Sequence, residues 1–270
     1  MNKENINIDT SIIKEYNYVT PIKYVSGRII EYDIASANIT MLKKYHMISD
    51  TEYQYLSKLP KHDREVKVGI MQRDEKVLKT ISNGIQKAKE DLMILNQIDP
   101  NSIVRVANDA VYINSSIDLP ITEFDGVLFR PKSLNTCLLQ LNKLLIFCNC
   151  NNGINIDIKG LSENVQLLHA DYMLSFIGNI IYLMERVSME EALKEVTNFY
   201  QDYVNLKLPV GFYREFNPYS KYRITMNSFL SSDFLVSNID NLKDISIDYN
   251  LFIIRELWSI ILNKCYERRR

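Results

Sequence analysis

Apolar residues recur along this chain with two different periods, and the change of period marks most of its elements. The run Arg28-Ile-Ile-Glu-Tyr-Asp33 predicts a strand entered from a turn at Gly27. Ala35, Ile39 and Leu42 follow at helical spacing, with Ser36 and Asn38 at the corner, so a helix begins directly after Asp33. Ser49-Asp-Thr-Glu52 has the form of a capping box and predicts a short helix that ends near Pro60. Residues 61–73 give a further helix, weakened by Gly69. Residues 76–96 carry the strongest helical signal of this half. Val77, Ile81, Ile85, Ala88, Leu92 and Leu95 form one face, with Lys87, Lys89 and Glu90 placed off it, which predicts a helix lying across a sheet.

Asp99-Pro-Asn-Ser102 is a turn signal, and the β-rich runs on either side of Asn108-Asp109 predict a hairpin with Asp109 at its tip. Edge strands are expected around residues 117–119 and 126–129. Residues 134–147, with Leu138, Leu141, Leu144 and Leu145, predict a helix. Ile154, Ile156 and Ile158 alternate strictly, as a half-buried strand does, and lead to Lys159-Gly160-Leu161. Beyond residue 165 the character changes to two apolar-striped helices, one with Leu168, Tyr172, Phe176, Ile180 and Met184, the other with Ala192, Val196, Phe199 and Tyr203. A Pro-, Gly- and Tyr-rich connector follows, and a last helix holds Ile253, Leu257, Trp258 and Ile261. The expected fold class is therefore α+β, an antiparallel sheet with packed helices followed by a mainly helical region. The expected division is an N-terminal arm over residues 1–21, a mixed domain over 22–160 and a helical domain over 161–270.

Composition narrows the partners. With 32 basic against 33 acidic residues the net charge is −1, so any nucleic-acid contact must be local rather than a global basic field. No apolar run approaches the roughly 20 residues that span a bilayer, and Met1-Asn-Lys-Glu-Asn lacks a signal-peptide core, which leads us to expect a cytoplasmic protein with no membrane partner. Cys137, Cys148, Cys150 and Cys265 contain no Cys-x-x-Cys pair and His46, His62 and His169 lie far from them, so buried thiols are expected in preference to zinc or disulfides. The abundance of Asn, Ile, Lys and Tyr is the coding bias of an AT-rich genome, such as that of a phage or a low-GC bacterium.

The candidate chemistry lies in two acids far apart in sequence. Asp33 ends an apolar strand and Asp109 tips a hairpin, and carboxylates on adjacent strands can share divalent metal, Mg²⁺ or Mn²⁺, as phosphoryl transfer from a nucleoside triphosphate requires.

These residues resemble the palm of family B DNA polymerases, and less closely that of family A. Asp33-Ile-Ala-Ser36-Ala-Asn-Ile-Thr-Met-Leu is similar to the first palm motif, and Val106-Ala-Asn-Asp109-Ala-Val-Tyr-Ile to the third. Ile158-Lys159-Gly160-Leu161 resembles the Lys-Gly element at which such palms pass into the thumb, and the chain also looks like small palm-containing phage proteins. The resemblance covers residues 22–205 and implies a palm-like sheet and a thumb-like helical region. It further implies metal at Asp33 and Asp109, nucleotide contacts from Ser36, Asn38, Arg64 and Lys67, and nucleic-acid contacts from Lys159 and Arg73. Ala107 and Ala110 stand where families B and A carry a second acid, and neither a fingers motif nor an exonuclease motif is present. Those departures support an alternative, a palm without catalysis that serves as a binding or regulatory subunit of a phage replication or transcription assembly. Each feature also has a bland explanation: Asp109 as an ordinary turn, Asp33 as a helix cap, and Arg64, Lys67, Arg73 and Lys159 as solvated surface.

Overall fold

The alternation before Asp33 is realised as a long strand, β1 (Tyr24–Ile34). Ile30, Tyr32 and Ile34 turn into an apolar core, while Glu31 and Asp33 alternate with them and belong to the opposite face. The computed structural model describes residues 8–15, 17–141, 144–151, 153–159, 170–205, 207–208 and 254–267. It divides into two units, one of Met1–Pro21 with Gly27–Leu134, the other of Ile22–Ser26 with Asn135–Arg270.

In the first unit a short helix α1 (Ser11–Lys14) precedes β1, and four helices follow it: α2 (Ala37–Lys44), α3 (Asp50–Lys58), α4 (Lys61–Met71) and α5 (Glu75–Asn96). The capping box of α3 forms as its sequence predicts, with Ser49 and Glu52 bonding each other's backbone N–H groups. Asp74 caps α5 by accepting from the Lys76 N–H. Ile81, Ile85, Ala88 and Leu92 are buried against Ile30, Tyr32 and Ile34, but Leu95 is exposed and Lys89, expected off the stripe, is buried. The hairpin forms as β2 (Ile103–Val106) and β3 (Ala110–Asn114). The N-terminal arm is bound over its described part: Ile13 is buried, Thr20 N–H donates to Val104 and Val106 N–H to Tyr18. Its apolar positions fill the same core as α5.

The remaining strands are β4 (Glu123–Phe124), β5 (Val127–Leu141), β6 (Leu144–Asn149) and β7 (Asn155–Lys159). The seven-stranded sheet has the order β2-β3-β1-β5-β6-β7, with β4 paired to β5. Every pairing with a defined register is antiparallel. Residues 117–119 form no strand; Leu119 instead donates its N–H to the Tyr32 hydroxyl.

The helix expected over residues 134–147 does not exist, because β5 and β6 pair there with Cys137 opposite Cys148 and Leu141 opposite Leu144. Leucines at helical spacing misled here. The apolar residues of the run lie on both faces of the paired strands and are buried as β-structure, a case where period alone cannot separate helix from strand.

The second unit continues with α6 (Ala170–Arg186) and α7 (Met189–Val204), both as predicted, and a helix over residues 254–267. Ile177, Ile180, Ile181, Val196, Leu257 and Ile261 share a core with Leu139, Ile146 and Cys148, whereas Trp258 is exposed. Gly160, Leu161, Leu168, Ile253, Arg268-Arg-Arg270 and most of the Tyr-rich connector lie outside the described residues. Among those described, no helix is long and apolar enough to cross a membrane.

Two helical glycines have opposite constraints. A Cβ on Gly84 would stand 2.6 Å from Tyr45 and 2.8 Å from the buried Met41 sulfur, whereas one on Gly69 would meet nothing within 4 Å. Gly84→Val should therefore lower unfolding free energy by about 1–3 kcal/mol through overpacking between α2 and α5. Gly69→Ala should raise it by about 0.5–1 kcal/mol. Urea titration of the two variants checks both signs.

Candidate functional site

Register places the two aspartates. Asp33 pairs with Ala110 across β1 and β3, so Asp109, the residue before, lies beside the end of β1. Its carbonyl accepts the Ile34 N–H at 2.9 Å. Both side chains are half-buried. Burial raises the Asp33 carboxyl above its ordinary range, Asp109 raises it further by repulsion, Lys132 opposes the shift, and Glu31 adds to it. Two segments more than seventy residues apart in sequence thus bring like charges into mutual influence.

Three neighbours that the sequence analysis passed over complete the cluster. Glu31, two residues before Asp33 and hence on its face of β1, is buried and accepts a hydrogen bond from Ser133 at 2.9 Å. Lys132 on β5 places its ammonium 3.6 Å from Glu31 Oε1 and 3.6 Å from Asp33 Oδ2. Burial works against its charge, yet Glu31, Asp33 and Asp109 together hold it above the ordinary lysine value. Lys89 comes from α5, 6% exposed, and donates to the carbonyls of Ala107 at 2.9 Å and Asn108 at 3.0 Å. Burial pushes its ammonium down to about 8, against the pull of Asp109.

Further along the sheet Arg105, Tyr112 and Glu31 form a cross-strand row, with the Arg105 guanidinium 5.4 Å over the Tyr112 ring. Its Nε and one terminal nitrogen are buried without a hydrogen-bond partner.

The other predicted residues are placed less closely. Ser36 is exposed in a left-handed conformation (φ 50°) at the start of α2, with no capping bond from its side chain, and Asn38 is half-buried in the first turn. Arg64 is half-buried on α4, while Lys67 is exposed and donates to the Tyr55 hydroxyl at 2.8 Å. Arg73 is exposed just past α4. Lys159 ends β7 in the second unit and pairs with Asp157 at 2.8 Å. Among the described residues no ion pair joins Arg64, Lys67 or Arg73 to Asp33 or Asp109.

Among the described residues no three His, Cys, Asp or Glu side chains are grouped to hold a metal ion. Asp33 and Asp109 are within electrostatic reach of each other and belong to no such group. A carboxylate pair suits Mg²⁺, which commonly takes one or two carboxylates and leaves its other positions to water and substrate phosphates.

No curated protein matches the chain. The family model of the Bacteriophage PBS1 gene 130 protein matches residues 8–263, nearly the full length, and the chain belongs to this phage protein family.

Proposed function

We propose that the chain is a palm-like nucleotidyltransferase, transferring a nucleotide from a nucleoside triphosphate to a nucleic-acid 3′-hydroxyl. The observation that carries this reading is the pairing of β1 with β3, which sets Asp33 and Asp109 side by side at one end of a helix-backed antiparallel sheet. A bound divalent ion would supply nucleophile activation and neutralise phosphate charge. Asp33 and Asp109 hold it as carboxylates. Lys132 supplies a positive charge for the polyphosphate once it leaves Asp33 and Glu31. Arg64 and Lys67 on α4, with Ser36 and Asn38 beside the first acid, are assigned to the nucleotide, and Arg73 and Lys159 to the nucleic-acid strand. In the same reading the helices of the second unit are thumb-like.

A second reading has its own support in the contact between Lys132 and Asp33. A tethered ammonium can neutralise the acids without metal, as expected of a palm that binds a protein or nucleic-acid partner in a phage replication or transcription assembly without catalysis. Metal binding separates the two.

In the enzyme reading, Mn²⁺ raises the melting temperature and the pure protein incorporates labelled nucleotide onto a primer. Asp33→Asn and Asp109→Asn should each lower incorporation about a hundredfold or more, the scale of losing a group that organises transition-state charge. Wild-type protein that binds no Mn²⁺ and incorporates nothing would leave only the binding-subunit reading.

The pair itself is tested without metal. Because the folded protein holds a proton on Asp33 more tightly than the unfolded chain, the contribution of Asp33 to stability declines as pH rises through its raised folded-state pKa. Asp109→Asn should lower the Asp33 midpoint, followed by carboxyl NMR, and shrink that decline. An unchanged midpoint would mean that the two charges do not interact.

A further inference from the structure

The loop that carries Asp109 is three residues long, and each of its carbonyls is held. Asp109 O accepts from Ile34 N–H on β1; Ala107 O and Asn108 O both accept from the single ammonium of Lys89. Ala107 N–H donates to Ala110 O at 2.9 Å and closes the turn. Lys89 reaches the loop from α5, whose Ile85, Ala88, Leu92 and Met93 are fixed in the core. A lysine at 6% exposure is costly to bury, and a hairpin of this length needs no such anchor to form.

From this geometry we infer that Lys89 is a positioning residue, a latch that ties the hairpin tip to α5 and so fixes the direction of the Asp109 carboxylate toward Asp33. The inference rests on the metal reading of the acid pair. The ammonium bonds the loop backbone and reaches the Asp109 carboxylate only through space. Removing it leaves two loop carbonyls seeking water, and the tip reorganises to reach it. Asp109 would then turn with its loop while Asp33, on the strand, stays.

The test uses the full chain and Mn²⁺ alone, followed by electron paramagnetic resonance, with hydrogen–deuterium exchange at the amides of residues 107–110. Lys89→Met should weaken Mn²⁺ about tenfold or more, the usual scale for groups that orient a metal ligand, and speed exchange at the tip while the α5 core stays protected. Lys89→Arg, which keeps two donors and the charge, should recover most of the affinity. Lys87→Met removes the same charge from the exposed face of α5 and should stay within about twofold of wild type. Should Lys89→Met fail to fold, Lys89→Gln, a shorter donor, decides in its place by the same two readouts. Wild-type binding that persists unchanged in the variant would overturn the latch and keep the metal site. A wild type that binds no Mn²⁺ would overturn the metal reading and the positioning role with it.

Discussion

The antiparallel register between β1 and β3 is the constraint on which the rest of the first unit depends. With Ile30 opposite Ile113 and Tyr32 opposite Val111, the helix-facing side of both strands is apolar; with Glu31 opposite Tyr112 and Asp33 opposite Ala110, these two acids fall on the other. A slip of one residue would send Glu31 and Asp33 into the core and Ile30 and Tyr32 out of it. The apolar face therefore enforces the polar one. The buried stripe of α5 and the helices packed with it fix the register, and the register fixes where the carboxylates stand.

Local charge is organised around that outcome. Glu31, Asp33 and Asp109 occupy half-buried or buried positions, and two lysines meet them in different ways. Lys132 touches carboxylate oxygens directly, while Lys89 touches backbone and influences Asp109 through space. With the chain as a whole near neutrality, this concentration of charge is a property of the sheet end and not of composition.

Much of this was legible in the sequence, and the failures have specific physical causes. The strand ending at Asp33, the capping box at Ser49, the long helix, the hairpin around Asp109 and the strand carrying Ile156 and Ile158 all carry local signals strong enough to survive tertiary context, although Ile154 precedes that strand and is exposed. Leu138, Leu141, Leu144 and Leu145 did not, because a strand buried on both faces shows no alternation and its leucines fall at helical spacing by chance. Lys89 was misplaced for a different reason. It sits four residues after Ile85 and three before Leu92, inside the stripe, and the presence of a charge at a core position was itself the signal of a buried partner. Glu31 could have been found from its spacing to Asp33; Lys132 could not, since it reaches the acids only through the placement of β5.

The two lysines differ in how readily they yield, and that difference bears on which reading of the site is stronger. The Lys132 side chain keeps 59% of its exposure, and its ion pairs at 3.6 Å are of the kind that contributes little, at most about 1 kcal/mol, so a stronger cation can displace it at small cost. Lys89 is buried and bonded to two carbonyls, and cannot leave without stranding them. A site built only to neutralise two acids would place the buried ammonium on the carboxylates and the exposed one elsewhere. This fold does the reverse: it anchors the loop with the buried ammonium and leaves the acids facing the exposed one, an arrangement that supports the proposed metal reading over the metal-free one.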